Sequence, residues 1–164
     1  MQKLLAACIA LGLIAVSCYG PDPDKTDQGQ SRPDVEAEFP EFVEPGSVVT
    51  LSLAIDNPGP GDFSSLFVAF SRVGAAEGVS LPDPIVDVPV EGKPSPVVDV
   101  SPEPVKVVEG IRFRFPALAE GESLDIEFEL RAPDKAGLVA NSVQVYDGAE
   151  PDRIRGVLLS TRVQ

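Results

Sequence analysis

From residue 35 to the C-terminus, apolar residues recur at every second position, and that period leaves few folds open. Val49, Leu51, Leu53 and Ile55 alternate with Thr50, Ser52, Ala54 and Asp56. Ile111, Phe113 and Phe115 alternate with Arg112 and Arg114, and Leu124, Ile126, Phe128 and Leu130 with Asp125, Glu127, Glu129 and Arg131. Val139, Asn141, Val143 and Val145 follow the same rule, and Val157, Leu159, Thr161 and Val163 close the chain. Successive side chains of extended backbone point to opposite faces, so each run reads as a strand with one face to a core and one to water. No segment beyond residue 18 carries the period of a helix. Turn residues punctuate the runs: Asn57-Pro58-Gly59-Pro60-Gly61, then Ala119-Glu120-Gly121-Glu122, then Asp147-Gly148. About six to eight short strands with turns between them predict an all-β, antiparallel β-sandwich over residues 35–164.

Two stretches depart from simple alternation. Phe63 to Phe70 is apolar on both faces, which fits either a central strand covered on both sides or a strand lining an interface. Residues 82–104 hold seven of the 17 prolines. Proline removes a ladder donor, so this stretch is edge strand or loop. It reads either as an edge blunted against aggregation or as extended backbone that offers a partner a strand or a polyproline contact. Two features could therefore supply a partner surface: the Pro-rich edge, with Pro89, Pro94 and Pro96, and the apolar face of Phe63 and Phe67.

The N-terminus reads as an address. After Met1-Gln2-Lys3, the 13 residues from Leu4 to Val16 are uncharged, the length of a signal-peptide core and short for a membrane span. Ala15-Val16-Ser17-Cys18 resembles the bacterial lipobox, in which small or aliphatic residues precede an acylated cysteine. The resemblance implies cleavage after residue 17 and makes Cys18 the lipidated first residue of the mature chain. Cys8 also follows lipobox-like letters, but it lies too close to Lys3 to have a signal core before it. A plain secretory signal cut near Ser17 and an uncleaved helix are the competing readings. Both cysteines fall within the first 18 residues, so the exported domain has no disulfide and relies on its core. Two or three acyl chains would give a durable anchor, because each buried CH₂ contributes about 0.8 kcal/mol. In Gram-negative lipoproteins an Asp after the acylated cysteine retains the protein at the inner membrane. By that resemblance Tyr19 favours the outer membrane, with the domain in the periplasm or at the surface.

Residues 18–34 read as the lipidated cysteine and a flexible linker. Apart from Tyr19 the stretch has no large apolar residue and is dense in Pro, Gly, Asp and Gln, so it cannot offset its ordering entropy. Fully extended, such a linker reaches about 50 Å.

Three blocks of the domain carry a further likeness. VVTLSLAIDNPGPGD (48–62) resembles the opening of bacterial surface Ig-like repeats, the conserved repeat called domain of unknown function eleven and the cell-adhesion-related bacterial domain. Asn57, Gly59 and Pro60 hold that family's turn positions. FPALAEGESLDIEFELRAP (115–133) is similar to the family's next segment through Leu118, Gly121, Glu122 and Ser123. AGLVANSVQVYDG (136–148) is similar to its last through Gly137 and Asn141. The Pro-rich stretch 82–104 departs from the pattern. The resemblance implies an Ig-like sandwich of about seven strands that serves as spacer, adhesive or assembly module, with no catalytic residues. On physical grounds Gly59 and Gly121 supply turn conformations closed to other residues, and an inward Asn141 bonds the backbone of a neighbouring loop.

Composition excludes much chemistry. There is no His, so a Ser-His-Asp triad is out, as is a zinc site that needs imidazole. With Lys+Arg 13 against Asp+Glu 26 the formal charge is −13, the wrong sign for a nucleic-acid binder. The five lysines sit in no recognisable Ser–Lys motif, and with 26 acids carboxylate pairs arise by chance. There is no Trp to serve a lectin-like platform, and the tyrosines are Tyr19 and Tyr146. Asp22, Asp24 and Asp27 lack EF-hand spacing, while the acidic loop 147–152 leaves calcium binding open. The expectation is therefore a non-enzymatic envelope lipoprotein, with no cofactor, no metal and no nucleic acid. Its partners are the membrane, through its lipid, and an envelope protein. The alternative is a small-ligand or glycan-binding lipoprotein.

Overall fold

Ten strands form, five of them on the runs whose alternation predicts strands. The computed structural model describes residues 32–74 and 81–164, so the signal segment, Cys18 and all but the end of the linker lie outside the described residues. The strands are β1 (Asp34–Glu38), β2 (Phe42–Val43), β3 (Val48–Asp56), β4 (Leu66–Arg72), β5 (Val97–Ser101), β6 (Lys106–Val108), β7 (Arg112–Phe115), β8 (Ser123–Arg131), β9 (Gly137–Asp147) and β10 (Arg155–Val163). No helix occurs among the described residues. The strands make a four-stranded sheet, β1-β3-β8-β5, and a six-stranded sheet, β2-β10-β9-β4-β7-β6. The protein is an all-β, Ig-like sandwich.

The pairing is antiparallel except where β2 runs parallel to the end of β10, Phe42 beside Arg162 and Val43 beside Val163. The count exceeds seven because β2 and β6 are edge fragments of two and three residues, and β5 arises inside the Pro-rich stretch. β5 meets the constraint that proline imposes. It is an edge strand, with its register broken between Val97 and Asp99. The domain also starts earlier than its alternation shows, since Asp34 already pairs with Asp56.

Inward residues of both sheets fill one core. Leu51 and Leu53 pair with Phe128 and Ile126 within the four-stranded sheet, flanked by Ile55 and Leu130, and Leu66, Val68, Phe70, Phe113, Phe115, Val143 and Val145 come from the other. Phe128 bridges the layers, its ring edge-on to Phe70 at 5.2 Å and to Phe113 at 5.1 Å. Such pairs add about 0.5–1.5 kcal/mol each beyond the area they bury.

Two asparagines tie the ends of the sandwich. Asn57 Nδ2 donates to the carbonyls of Gly61 and Leu118, each at 3.0 Å, and its Oδ1 accepts from Gly59 N at 3.1 Å. That network locks the 57–61 turn onto the 118–122 turn. Both turns need left-handed backbone, with φ of 81° at Gly59 and 77° at Gly121, as their glycines predict. At the other end Asn141, fully buried on β9, holds the backbone of residues 85–86. This segment takes the lane beside β9 that β4 vacates past Arg72, and Ala140 N donates to Asp83 O at 2.9 Å.

Candidate interaction surface

The outer face of the six-stranded sheet breaks the rule that made the strands legible. At its β2 end, outward positions carry apolar side chains: Phe42 is 52% exposed, Leu138 53% and Leu158 64%. Strand pairing brings the first two into one rank and leaves Leu158 further along the same face. Phe42 lies beside Arg162, which lies beside Leu138, and Leu158 stands four residues before Arg162 on β10. Glu41, Phe42, Leu138, Ser160, Thr161, Arg162 and Gln164 surround an open hollow of about 520 Å³. Thr161 is buried there, and its Oγ1 has no hydrogen-bond partner among the described residues. The sheet edge also lacks a ladder partner over most of its length among the described residues, with β1 packed near β10. Among the described residues β2 covers β10 only at Arg162 and Val163, so the outer ladder edge of residues 155–161 pairs with no strand. An apolar cluster beside unpaired strand backbone is where a partner gains both burial and ladder hydrogen bonds.

The two candidate partner features lie apart in the structure. Phe63 is a correction: it is 3% exposed, bridges to Leu118 and belongs to the core, so it presents nothing to a partner. It precedes β4 rather than opening it, because Phe63 N and O bond the Leu118 backbone in the turn-to-turn contact. Phe67 does point outward from β4, which is a central strand, but its ring stacks on Tyr146 at 5.3 Å and 4° and is half-buried. Pro89 is exposed and packs where a Cβ on Gly110 would meet its ring. Pro94 is exposed just before β5, and the Pro96 carbonyl accepts from Arg131 N at 2.8 Å, joining the chain to β8. The prolines thus lie along the far edges of the two sheets, away from Phe42 and Leu158. The signal for the apolar end was in the sequence. Leu138 and Leu158 occupy the outward phase of alternating strands, a phase that elsewhere holds Ser, Gln, Arg or Glu.

The remaining polar clusters are structural in geometry. Asp147 Oδ1 accepts from Ser64 Oγ at 2.9 Å, Ser65 N at 3.2 Å and Ala149 N at 3.3 Å, so this carboxylate organises the 147–152 loop from within. Glu150 pairs with Arg153 at 3.4 Å. No group of three or more acidic or sulfur ligands suited to a metal occurs among the described residues. Arg72 and Asp87 form a hydrogen-bonded ion pair beside a cleft of about 380 Å³ lined in part by Ser71, Arg112 and Gln144. The hydrogen bond from the Arg72 guanidinium holds the Asp87 carboxyl below its ordinary value, against partial desolvation, and Val88 N adds to the effect. The same pair raises the Arg72 guanidinium. No helix among the described residues is long and apolar enough to cross a membrane.

No protein-family model matches the chain, and no curated protein matches it. Solved structures do. The ASH / PapD-like domain of human CEP192 (PapD-like domain 7) is 14% identical, with 81% of this chain and 84% of that one covered and a TM-score of 0.39. A structure described as "AvmM Catalyzes Macrocyclization in Alchivemycin A Biosynthesis" is 13% identical over 81% of this chain and 88% of its own, with a TM-score of 0.46. Neither likeness bears on what this chain does, and the fold stands on its own strand pairing.

Proposed function

We propose that this protein is a non-enzymatic, lipid-anchored module of a bacterial envelope whose sandwich binds a protein partner. The observation that carries the partner site is the exposed apolar pair Phe42 and Leu138 at the hollow, with exposed Leu158 further along the outward face of β10. Three large apolar side chains standing half or more exposed on adjacent strands leave unburied surface that a partner removes from water, at about 25 cal/mol per Å². The Cys18 lipid, attached through the linker, would hold this face near its partner and raise the local concentration of both. The test is capture in cells. A photoreactive residue at position 158 should give a discrete adduct with one envelope protein, and Phe42→Arg should abolish it. Adducts no different from those made at an exposed position of the four-stranded sheet would overturn the site. Fractionation of Cys18→Ala beside wild type tests the anchor separately. A mutant that stays in the membrane, or a wild-type mass without acyl chains, would refute the lipid.

A further inference from the structure

Charge is largely sorted by sheet, with Arg131 in the acidic phase of β8 and Asp87 in the cleft beside Arg112 as the exceptions. On the outer face of the four-stranded sheet, Glu36 and Glu38 of β1 stand opposite Asp125 and Glu127 of β8, with the small residues of β3 between them. The register sets Glu36 beside Ala54 beside Asp125, and Glu38 beside Ser52 beside Glu127. The result is a groove of about 310 Å³ with a floor of Ser52 and Ala54 and carboxylates along both walls. Neighbouring strands lie about 4.8 Å apart, so the walls are about 10 Å apart, and along a strand the two ranks are about 7 Å apart. That gap is too wide for these carboxylates to share one metal ion, and it admits an extended guanidinium. On the outer face of the six-stranded sheet, β7 carries Arg112 and Arg114, two residues apart and therefore also about 7 Å apart, with Lys106 of β6 beside Arg114. Among the described residues, none of these seven charged side chains has an ion-pair partner of its own.

From this match we infer that the acidic groove of one copy receives the Arg112–Arg114 ridge of a second copy. Each arginine enters one rank and meets a carboxylate on either side, the charge-assisted geometry guanidinium favours. The two surfaces are different patches of one molecule, so the contact is head-to-tail and open-ended, building short chains rather than a closed dimer. The strands of this face hold five, nine, nine and five residues, so it covers about 450 Å², or about 900 Å² counted on both partners. That is below the size of a stable interface, so association is weak and transient in free solution and depends on salt. The inference needs neither the lipid nor the apolar hollow, since the ridge lies at the opposite end of the sheet from Phe42.

Sedimentation velocity on the purified full chain in a neutral detergent tests it. At low salt the sedimentation coefficient should rise with protein concentration, and half-molar salt should weaken association at least about tenfold. Arg112→Glu/Arg114→Glu should be monomeric, as should Glu36→Lys/Glu127→Lys. An equimolar mixture of the two should associate, because each then offers the other a complementary face. Circular dichroism checks that both fold, and Arg112→Gln/Arg114→Gln serves as a milder variant expected to weaken association without repulsion. A wild type that stays monomeric at low salt would overturn the inference. So would association indifferent to the arginine substitutions, or a mixture that stays monomeric.

Discussion

Removing the Asn141 carboxamide should cost far more than its size implies. The side chain is fully buried and makes four hydrogen bonds. Its Oδ1 accepts from Ile85 N at 2.8 Å and Val86 N at 2.9 Å, and its Nδ2 donates to Val86 O at 2.8 Å and Ser71 O at 3.2 Å. Asn141→Ala leaves two N–H groups and a carbonyl without partners in a segment whose Ile85 and Val86 are themselves buried. Each orphaned group costs about 1–3 kcal/mol if it stays dry. The segment has another route, which is to lift off and let water in, and that forfeits the burial of Ile85 and Val86 at about 1.5–3 kcal/mol each. Both routes converge on a loss of about 3–5 kcal/mol, with the cheaper one setting the value. Urea unfolding measures the total, and amide exchange at Ile85 and Val86 separates the routes. Early exchange there with the rest of the core protected marks local release. Asn141→Asp, which keeps the acceptor but buries a charge and loses the donor, should be no better than alanine. A loss below about 1 kcal/mol with unchanged exchange at both amides would refute the idea that Asn141 holds this segment.

Other outcomes follow from the same structure. Gly59→Ala should destabilise by about 1–2 kcal/mol in urea, because φ there is 81° and the added Cβ would stand 2.7 Å from the Glu120 carboxylate. Asn57→Ala should cost about 2 kcal/mol and loosen both turns it joins, read as faster exchange at Gly59 and Gly121. Leu158→Arg should leave the unfolding midpoint within about 0.5 kcal/mol of wild type, since the side chain is 64% exposed, while abolishing partner capture. The Asp87 carboxyl titrates lower in the folded chain than in the unfolded one. Its contribution is therefore present above the unfolded value near 3.9 and is lost as pH falls through the folded one. Exchange of the Val88 amide should accelerate relative to its neighbours only in that acid window, and Asp87→Asn should remove the pH dependence.

Strand identity was legible because alternation is a local property. β3, β7, β8, β9 and β10 follow from which residues repeat at period two, and the inward phase predicted for Leu51, Phe113, Phe128 and Val143 is the phase the core uses. The role of Asn141 was legible for a related reason, since a polar residue in the inward phase must find buried partners. What stayed hidden was set by pairing between distant segments. β2 and β6 are too short to show a period and exist only because β10 and β7 offer them an edge. Phe63 looks like the start of a strand, and only its bridge to Leu118 shows it to be core. Of the apolar end, the sequence carried the outward leucines but not their neighbours. Leu138 and Leu158 are each one outward residue in sequence, and they become a patch only when β9, β10 and β2 are set side by side. The acidic and basic faces were present as alternating Glu and Arg, but which rows share a face required the strand order.

The central claim is that a partner binds at the open end of β10, and the most direct test is a scan of photoreactive residues in living cells. Positions 42, 138 and 158 sample the apolar end, while 52 and 125 sample the four-stranded sheet. The account predicts one protein, other than this chain, joined from the first three positions and absent from the last two. The same protein joined equally from both faces, or adducts to this chain alone, would contradict it.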